Sequence, residues 1–194
     1  NPGDWTNVHL YAENNFISYL DYEYAENGFT GNSVSGSTFD NIYMGGSLSL
    51  SANAFYFDNS SSSNLTFTYN EIFVANQIIY ADYADGSTVS GNTFGTSYGG
   101  NAIEMNYCDN CSFDNNTISG QPNTGIYSHG ANNTTFSNNN LDVGNNGFTC
   151  EQGDNLSFTD NTITNFNDYG IQFNSTTNAV ITGNSITSDD SNDD

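Results

Sequence analysis

The chain is expected to wind as an all-β, right-handed parallel β-helix, a solenoid of about nine coils of roughly 22 residues each. Three observations point there. A pattern of apolar residue, two residues, Asn, one residue, apolar residue returns along the whole chain. In the later repeats another apolar position precedes it by ten residues. Asn is the commonest residue, with 34 copies, and Ser, Thr, Gly and Asp fill most of the rest, as tight corners require, while only two Pro interrupt the backbone.

The first element is the Asn pattern itself. It reads Tyr11/Asn14/Phe16, Phe29/Asn32/Val34, Leu50/Asn53/Phe55 and Phe67/Asn70/Ile72, then Val89/Asn92/Phe94, Phe113/Asn116/Ile118, Phe136/Asn139/Leu141, Phe158/Asn161/Ile163 and Ile181/Asn184/Ile186. Spacing is regular in the second half and uneven in the first. The second element is the offset position: Ile79 before Val89, Ile103 before Phe113, Ile126 before Phe136, Phe148 before Phe158 and Ile171 before Ile181. Each coil then holds three short strands, within which apolar and polar residues alternate as one buried face demands.

Stacking is the physical reason for such a repeat. Strands of three to five residues do not hold alone, but coils wound on one another hydrogen-bond at about 4.8 Å and place like residues over like. Phe113, Phe136, Phe158 and Ile181 are expected to form an inward column, and the repeated Asn an inward amide ladder at one corner. The expected ladder is Asn14, Asn32, Asn53, Asn70, Asn92, Asn116, Asn139, Asn161 and Asn184. Nine coils give a rod roughly 40 Å long, and parallel crossovers set the right hand. Residues 1–187 are read as one domain and 188–194 as an acidic tail. A start at Asn1 without Met leads us to expect a cleaved leader or a longer parent protein.

Composition narrows the function. There is no Lys and no Arg against 22 acidic residues, for a formal charge of -22. Binding to nucleic-acid phosphates or anionic membranes through cationic side chains is excluded as a main activity. Uronate and sulfated polysaccharides are poor ligands for the same reason. Aromatic content of 14% argues for a buried core despite the charge. No apolar run approaches the ~18 residues of a membrane span, so direct membrane insertion is not expected.

The repeats GNTF, NNTISG, NNNLDV, DNTITNF and GNSIT, each joined to a strand such as TGIYS, NGFTC or YGIQF, resemble those of the pectate-lyase-like superfamily of right-handed parallel β-helix proteins. The likeness covers residues ~86 to 187 well and ~10 to 85 loosely, and its motifs specify fold alone. That family contains polysaccharide lyases, hydrolases and epimerases as well as surface proteins, and the lack here of residues that its enzymes would need leads us to expect the non-catalytic surface type. The Arg or Lys that its lyases and polygalacturonases use is absent. No Asp-Pro-Glu-His of the epimerases is present, and Ser128-His129-Gly130 is a faint echo of the polygalacturonase Gly-His-Gly.

Candidate chemistry is confined to a column on the first strand, Asp82, Asn106, His129, Glu151 and Asn174, with Glu104 and Tyr127 in the column beside it. A His beside a Glu, or two carboxylates, suits acid–base chemistry on a glycoside, which makes Glu104, His129 and Glu151 the alternative catalytic set. The plainer reading is a solvated polar ladder, because alternate residues must face outward in any case. His9 and His129 lie too many coils apart to share an ion, and three Cys do not make a tetrahedral set. Cys108 and Cys111 are expected as a local disulfide or two inert thiols. Cys111 and Cys150 are expected as inward apolar fillers. No cofactor is expected beyond calcium at turn carboxylates, for which Asp109/Asp114 and the tail residues Asp189, Asp190, Asp193 and Asp194 are the candidates.

Asn-x-Ser/Thr acceptors occur at Asn59, Asn64, Asn110, Asn115, Asn132, Asn133, Asn155 and Asn174. Together these features lead us to expect an extracellular structural protein, a glycosylated subunit of a filament, sheath or surface layer that self-associates end to end. A carbohydrate-active or carbohydrate-binding module is the alternative. Ice binding through Thr93, Thr117, Thr162 and Ser185 ranks below both, since Asn140 interrupts that column.

Overall fold

A computed structural model describes residues 7–23, 28–45, 53–58, 62–74, 76–96 and 99–188. Among them the chain is a right-handed β-solenoid with no helix. Three parallel sheets run its length, and each holds eight strands, so the described residues make eight rungs and not nine. A representative rung consists of Thr124–His129, Thr135–Ser137 and Asn140–Asp142.

Register is one-to-one along each sheet. The offset position stacks as expected, Ile79 on Ile103, Ile126, Phe148 and Ile171. Period-two alternation sends these residues inward, where they meet a column from the second sheet. Phe113 stacks on Phe136 at 4.9 Å and Phe136 on Phe158 at 4.5 Å. Phe148 closes edge-on against both Phe136 and Phe158. The core is thus a stack of rings with aliphatic spacers.

The Asn ladder is continuous from Asn70 to Asn184. Each side-chain Nδ2 donates to the Oδ1 of the next rung, at 2.9 Å for Asn70 to Asn92 and Asn92 to Asn116, 3.0 Å for Asn116 to Asn139, and 2.9 Å for the two steps on to Asn184. The same Oδ1 also accepts the backbone N–H of the Asn before it. The second amide hydrogen goes to a carbonyl such as Phe113 O, from Asn139 at 2.9 Å. Every polar atom of the buried amide is therefore used, which is what permits it to be buried.

Asn14, Asn32 and Asn53 are not in the ladder. By register its first two steps are Leu20 and Ile42, and Ile42 N–H donates to Asn70 Oδ1 at 2.9 Å. Asn14 sits at a corner with φ 56°, Asn32 is exposed after the strand Phe29–Gly31, and Asn53 opens the strand Asn53–Phe57. The flanking apolar residues misled, since Tyr11 and Phe16 point to solvent. Leu50 lies outside the described residues. Ile42 and Asn70 stand 28 residues apart where the later steps of the ladder take 22 to 24, so the repeat is longer there.

Corners are built from left-handed backbone. Asn14, Gly36, Asn64, Gly86, Asn110, Asn133, Asn155 and Asn178 form one column of positive φ, between 50° and 71°. Tyr19, Asn41, Tyr69, Gly91, Asn115, Asn138, Asp160 and Gly183 form another, just before the ladder. Asn and Gly reach this region most cheaply, so the corners account for much of the composition. A smaller inward ladder uses hydroxyls: the N–H groups of Asn15, Leu65 and Cys111 donate to Ser37 Oγ, Ser87 Oγ and Thr134 Oγ1.

Candidate functional site

The outer face of the first sheet carries the densest set of ionisable side chains. Alternation turns Tyr56, Tyr80, Glu104, Tyr127, Thr149 and Gln172 outward in one column, in register. Two residues on, Asp82, Asn106, His129, Glu151 and Asn174 form the second, as the sequence predicts. The backbone alone sets this arrangement, because each rung repeats the strand below it.

Two groups form on this face. In the first, Tyr80 donates its hydroxyl to Asp82 Oδ2 at 3.2 Å, and Asn106 Nδ2 donates to Asp82 Oδ1 at 2.9 Å. The rings of Tyr56 and Tyr80 stack with centroids 4.9 Å apart. In the second, Tyr127 donates to Glu151 Oε2 at 3.0 Å, and His129 Nδ1 lies 3.5 Å from the same oxygen. Asn174 Nδ2 reaches Glu151 Oε1 at 3.4 Å. Burial, then the adjoining carboxylate, pushes the Tyr80 and Tyr127 hydroxyls up to about 12, so both stay protonated donors at neutral pH.

The alternative catalytic set is only partly assembled. His129 and Glu151 meet, but Glu104 belongs to a rung two below that of Glu151, and its Oε2 accepts from Gln77 Nε2 and Asn101 Nδ2, both at 3.0 Å. The two carboxylates are not a facing pair. Two buried polar atoms here have no hydrogen-bond partner, Asn106 Oδ1 and Thr149 Oγ1. Thr149 stands one rung from Tyr127 and two residues from Glu151, so the second group contains an unused hydroxyl.

The other candidates are placed as follows. Asp109 Oδ1 accepts from Asn132 N–H and Nδ2, and Asp114 Oδ1 from Ser137 Oγ and Asn138 Nδ2, at different corners. Among the described residues no three His, Cys, Asp or Glu gather to hold a metal ion. Asp189, Asp190, Asp193, Asp194 and the acceptor Asn59 lie outside them. Cys108 and Cys111 form a disulfide across the first corner, and Cys150 is fully buried, which pushes its thiol up.

Register explains the glycosylation acceptors. Asn64, Asn110, Asn133 and Asn155 share one left-handed corner column, and the residue two after each, Thr66, Ser112, Thr135 and Ser157, belongs to one outward column of the second sheet. Two structural columns thus write the motif. All four Asn are exposed, as are Asn115 and Asn174, while Asn132 is half-buried.

The family described as "Right handed beta helix region" matches residues 53–192. The chain belongs to that family. The β-helix protein overlaps over 92% of its length with 38% of a structure titled "Glycoside hydrolase", at 13% identity and TM-score 0.45. It overlaps over 94% with 38% of the enzymatically active domain of tailspike protein 2 from bacteriophage CBA120, at 16% identity and TM-score 0.45. A third overlap is with HetL, a pentapeptide repeat protein from the cyanobacterium Nostoc sp. strain PCC 7120, at 9% identity and TM-score 0.27. The chain thus spans well under half the length of the first two. No curated protein sequence matches it.

Proposed function

We propose that this β-helix protein is an extracellular structural element, a rod that associates end to end in a filament, sheath or surface layer. The observation that carries this reading is the direction of its side-chain hydrogen bonds, which run along the axis from rung to rung. Besides the Asn ladder, Thr68 donates to Asp40, Ser137 to Asp114, Asn165 to Asp142 and Asn155 to Asn133, each across one rung. Such bonds stiffen a rod and leave few polar groups free for chemistry. In the last described rung Val180, Ile181 and Ile186 are about half exposed, at 57%, 51% and 43%. Among the described residues no further strand pairs with this rung, and an open edge of that kind templates another strand. The exposed acceptors Asn64, Asn110, Asn133 and Asn155 would place glycans along one corner, and intact mass reads their occupancy. Electron microscopy of concentrated protein is expected to show rods longer than one chain, and Ile181→Asp with Ile186→Asp to return them to single particles. Single particles of the unaltered protein at every concentration overturn the reading.

A second reading, a carbohydrate-binding module, is favoured by one observation, the outward group in which Tyr127 and His129 both meet Glu151 Oε2, with the His129 and Glu151 side chains 25% and 33% exposed. Hydroxyl-rich neutral saccharides suit a carboxylate flanked by a phenol and an imidazole, with no Lys or Arg to attract uronates. Glycan-array binding that is lost in Glu151→Gln supports it, and an array without signal removes it.

A further inference from the structure

At the corner that follows the first sheet, Tyr83 and Tyr107 occupy successive rungs. Their rings stack with centroids 5.0 Å apart and planes 18° from parallel. Both are about half exposed, at 49% and 46%. Both also hold left-handed backbone, with φ 55° and 49°, a conformation that is uncommon for a bulky residue and that Gly or Asn adopts at less cost. Later rungs fill the same column with Gly130, Gln152 and Ser175. The first of these gives the Tyr107 ring its room, because a Cβ on Gly130 would come 3.0 Å from Tyr107 Cδ1. The corner does not ask for two aromatic rings, yet it holds them stacked at the surface, and a strained residue kept in place is a pointer to function.

Surface oxidation has few other targets nearby. Met44, Met105 and Cys150 are fully buried, and Cys108 and Cys111 are already joined. The other stacked tyrosine pair among the described residues, Tyr56 and Tyr80, is half-buried, with its hydroxyls tied to Asp58 and Asp82. Exposed Tyr19 and Tyr69 stand in another column and are kept apart by the rung of Asn41.

We propose that Tyr83 and Tyr107 are an oxidative cross-linking site, joined as dityrosine when the protein meets hydrogen peroxide and a haem peroxidase. Each phenol gives up one electron and its hydroxyl proton to become a phenoxyl radical. The two radicals couple through a carbon ortho to each oxygen, and the two ortho hydrogens shift to the oxygens to restore the phenols. The protein loses two hydrogen atoms in all, and one peroxide takes up the two electrons and two protons to leave as two waters. The product is a covalent staple between adjacent rungs at a corner where the Cys108–Cys111 disulfide links residues of one rung only. This site is independent of the end-to-end association proposed above.

The test is to treat dilute, full-length protein with peroxide and a haem peroxidase and to isolate the monomer. Digestion uses a protease that cuts at acidic residues, since there is no Lys or Arg to cut. Asp82, Asp85, Glu104 and Asp109 bracket the two tyrosines. The expected product is a monomer lighter by two hydrogens, with dityrosine fluorescence and a linked peptide pair containing Tyr83 and Tyr107. Tyr107→Phe and, separately, Tyr83→Phe keep the stacked ring and are expected to abolish the link and the monomer's fluorescence. Unchanged fluorescence in both variants, a link mapped to Tyr56 and Tyr80, or cross-links only between chains overturns the proposal.

Discussion

A single ladder residue shows what sustains the solenoid. Asn139 receives the N–H and one amide hydrogen of Asn116 on its Oδ1, and donates to Phe113 O and Asn161 Oδ1. Asn139→Ala strips partners from several buried groups at once. At about 1–3 kcal/mol for each orphaned group, a loss of at least ~3 kcal/mol is expected, read from urea unfolding. Asn139→Asp is expected to be no better, because an ionised carboxylate donates nothing to Phe113 O. Tyr127 is the residue to watch in alkali. Burial and the Glu151 carboxylate push its hydroxyl up to about 12, whereas an unfolded tyrosine titrates near 10. The folded state holds that proton more tightly, so the associated stability is complete below about pH 10 and is lost as pH rises toward 12. Tyr127→Phe is expected to flatten that part of the curve of melting temperature against pH, and Tyr80→Phe, for the same reason, to do likewise. At this scale the ladder from Asn70 onward was legible in the sequence, because an Asn between two inward residues recurs there at even spacing. Leu20 and Ile42 were not, since an aliphatic residue in an amide column looks like any core residue.

At the scale of the strand and its corner, the sequence carries two superposed signals, alternation and left-handed turns. Phe136 illustrates the first: it is fully buried and touches Phe113, Phe148 and Phe158. Phe136→Ala leaves a cavity in mid-stack and is expected to cost about 3–5 kcal/mol in denaturant unfolding. Asn133, with φ 50°, illustrates the second. Asn133→Gly is expected to be near neutral, while Asn133→Val, forced into a region closed to β-branched residues, is expected to lose about 1–2 kcal/mol or more. The same corner column accounts for four of the acceptor motifs. Sequence reading saw the motifs, but only register shows that a corner Asn and a sheet Thr or Ser compose them. The first half of the chain differs because Asn14 serves a corner between the exposed Tyr11 and Phe16, while Asn32 is itself exposed although Phe29 and Val34 beside it are buried.

For the molecule as a whole, charge is the governing quantity. With -22 and no Lys or Arg, the carboxylates repel one another along the rod without internal compensation. Raising salt from 0.01 to 1 M shortens the screening length from about 30 to about 3 Å. The melting temperature is therefore expected to climb with sodium chloride across that range, and a flat or falling profile in calorimetry would contradict it. Solenoid topology adds that each rung leans only on its neighbours, so damage at Phe136 is expected to unfold a stretch of coils first.

Alone, the sequence determined that the chain is a parallel β-helix and that its later coils carry an inward amide ladder. Those conclusions follow from periodicity and composition, which are local properties of the chain. Tertiary structure decided how many rungs there are and where the ladder begins. It also decided that Glu151 meets Tyr127 and His129 while Glu104 stands apart, and that Tyr83 lies on Tyr107. Residues more than twenty positions apart become neighbours only once every connection between them has a length, and the uneven early connections hide that length from the sequence.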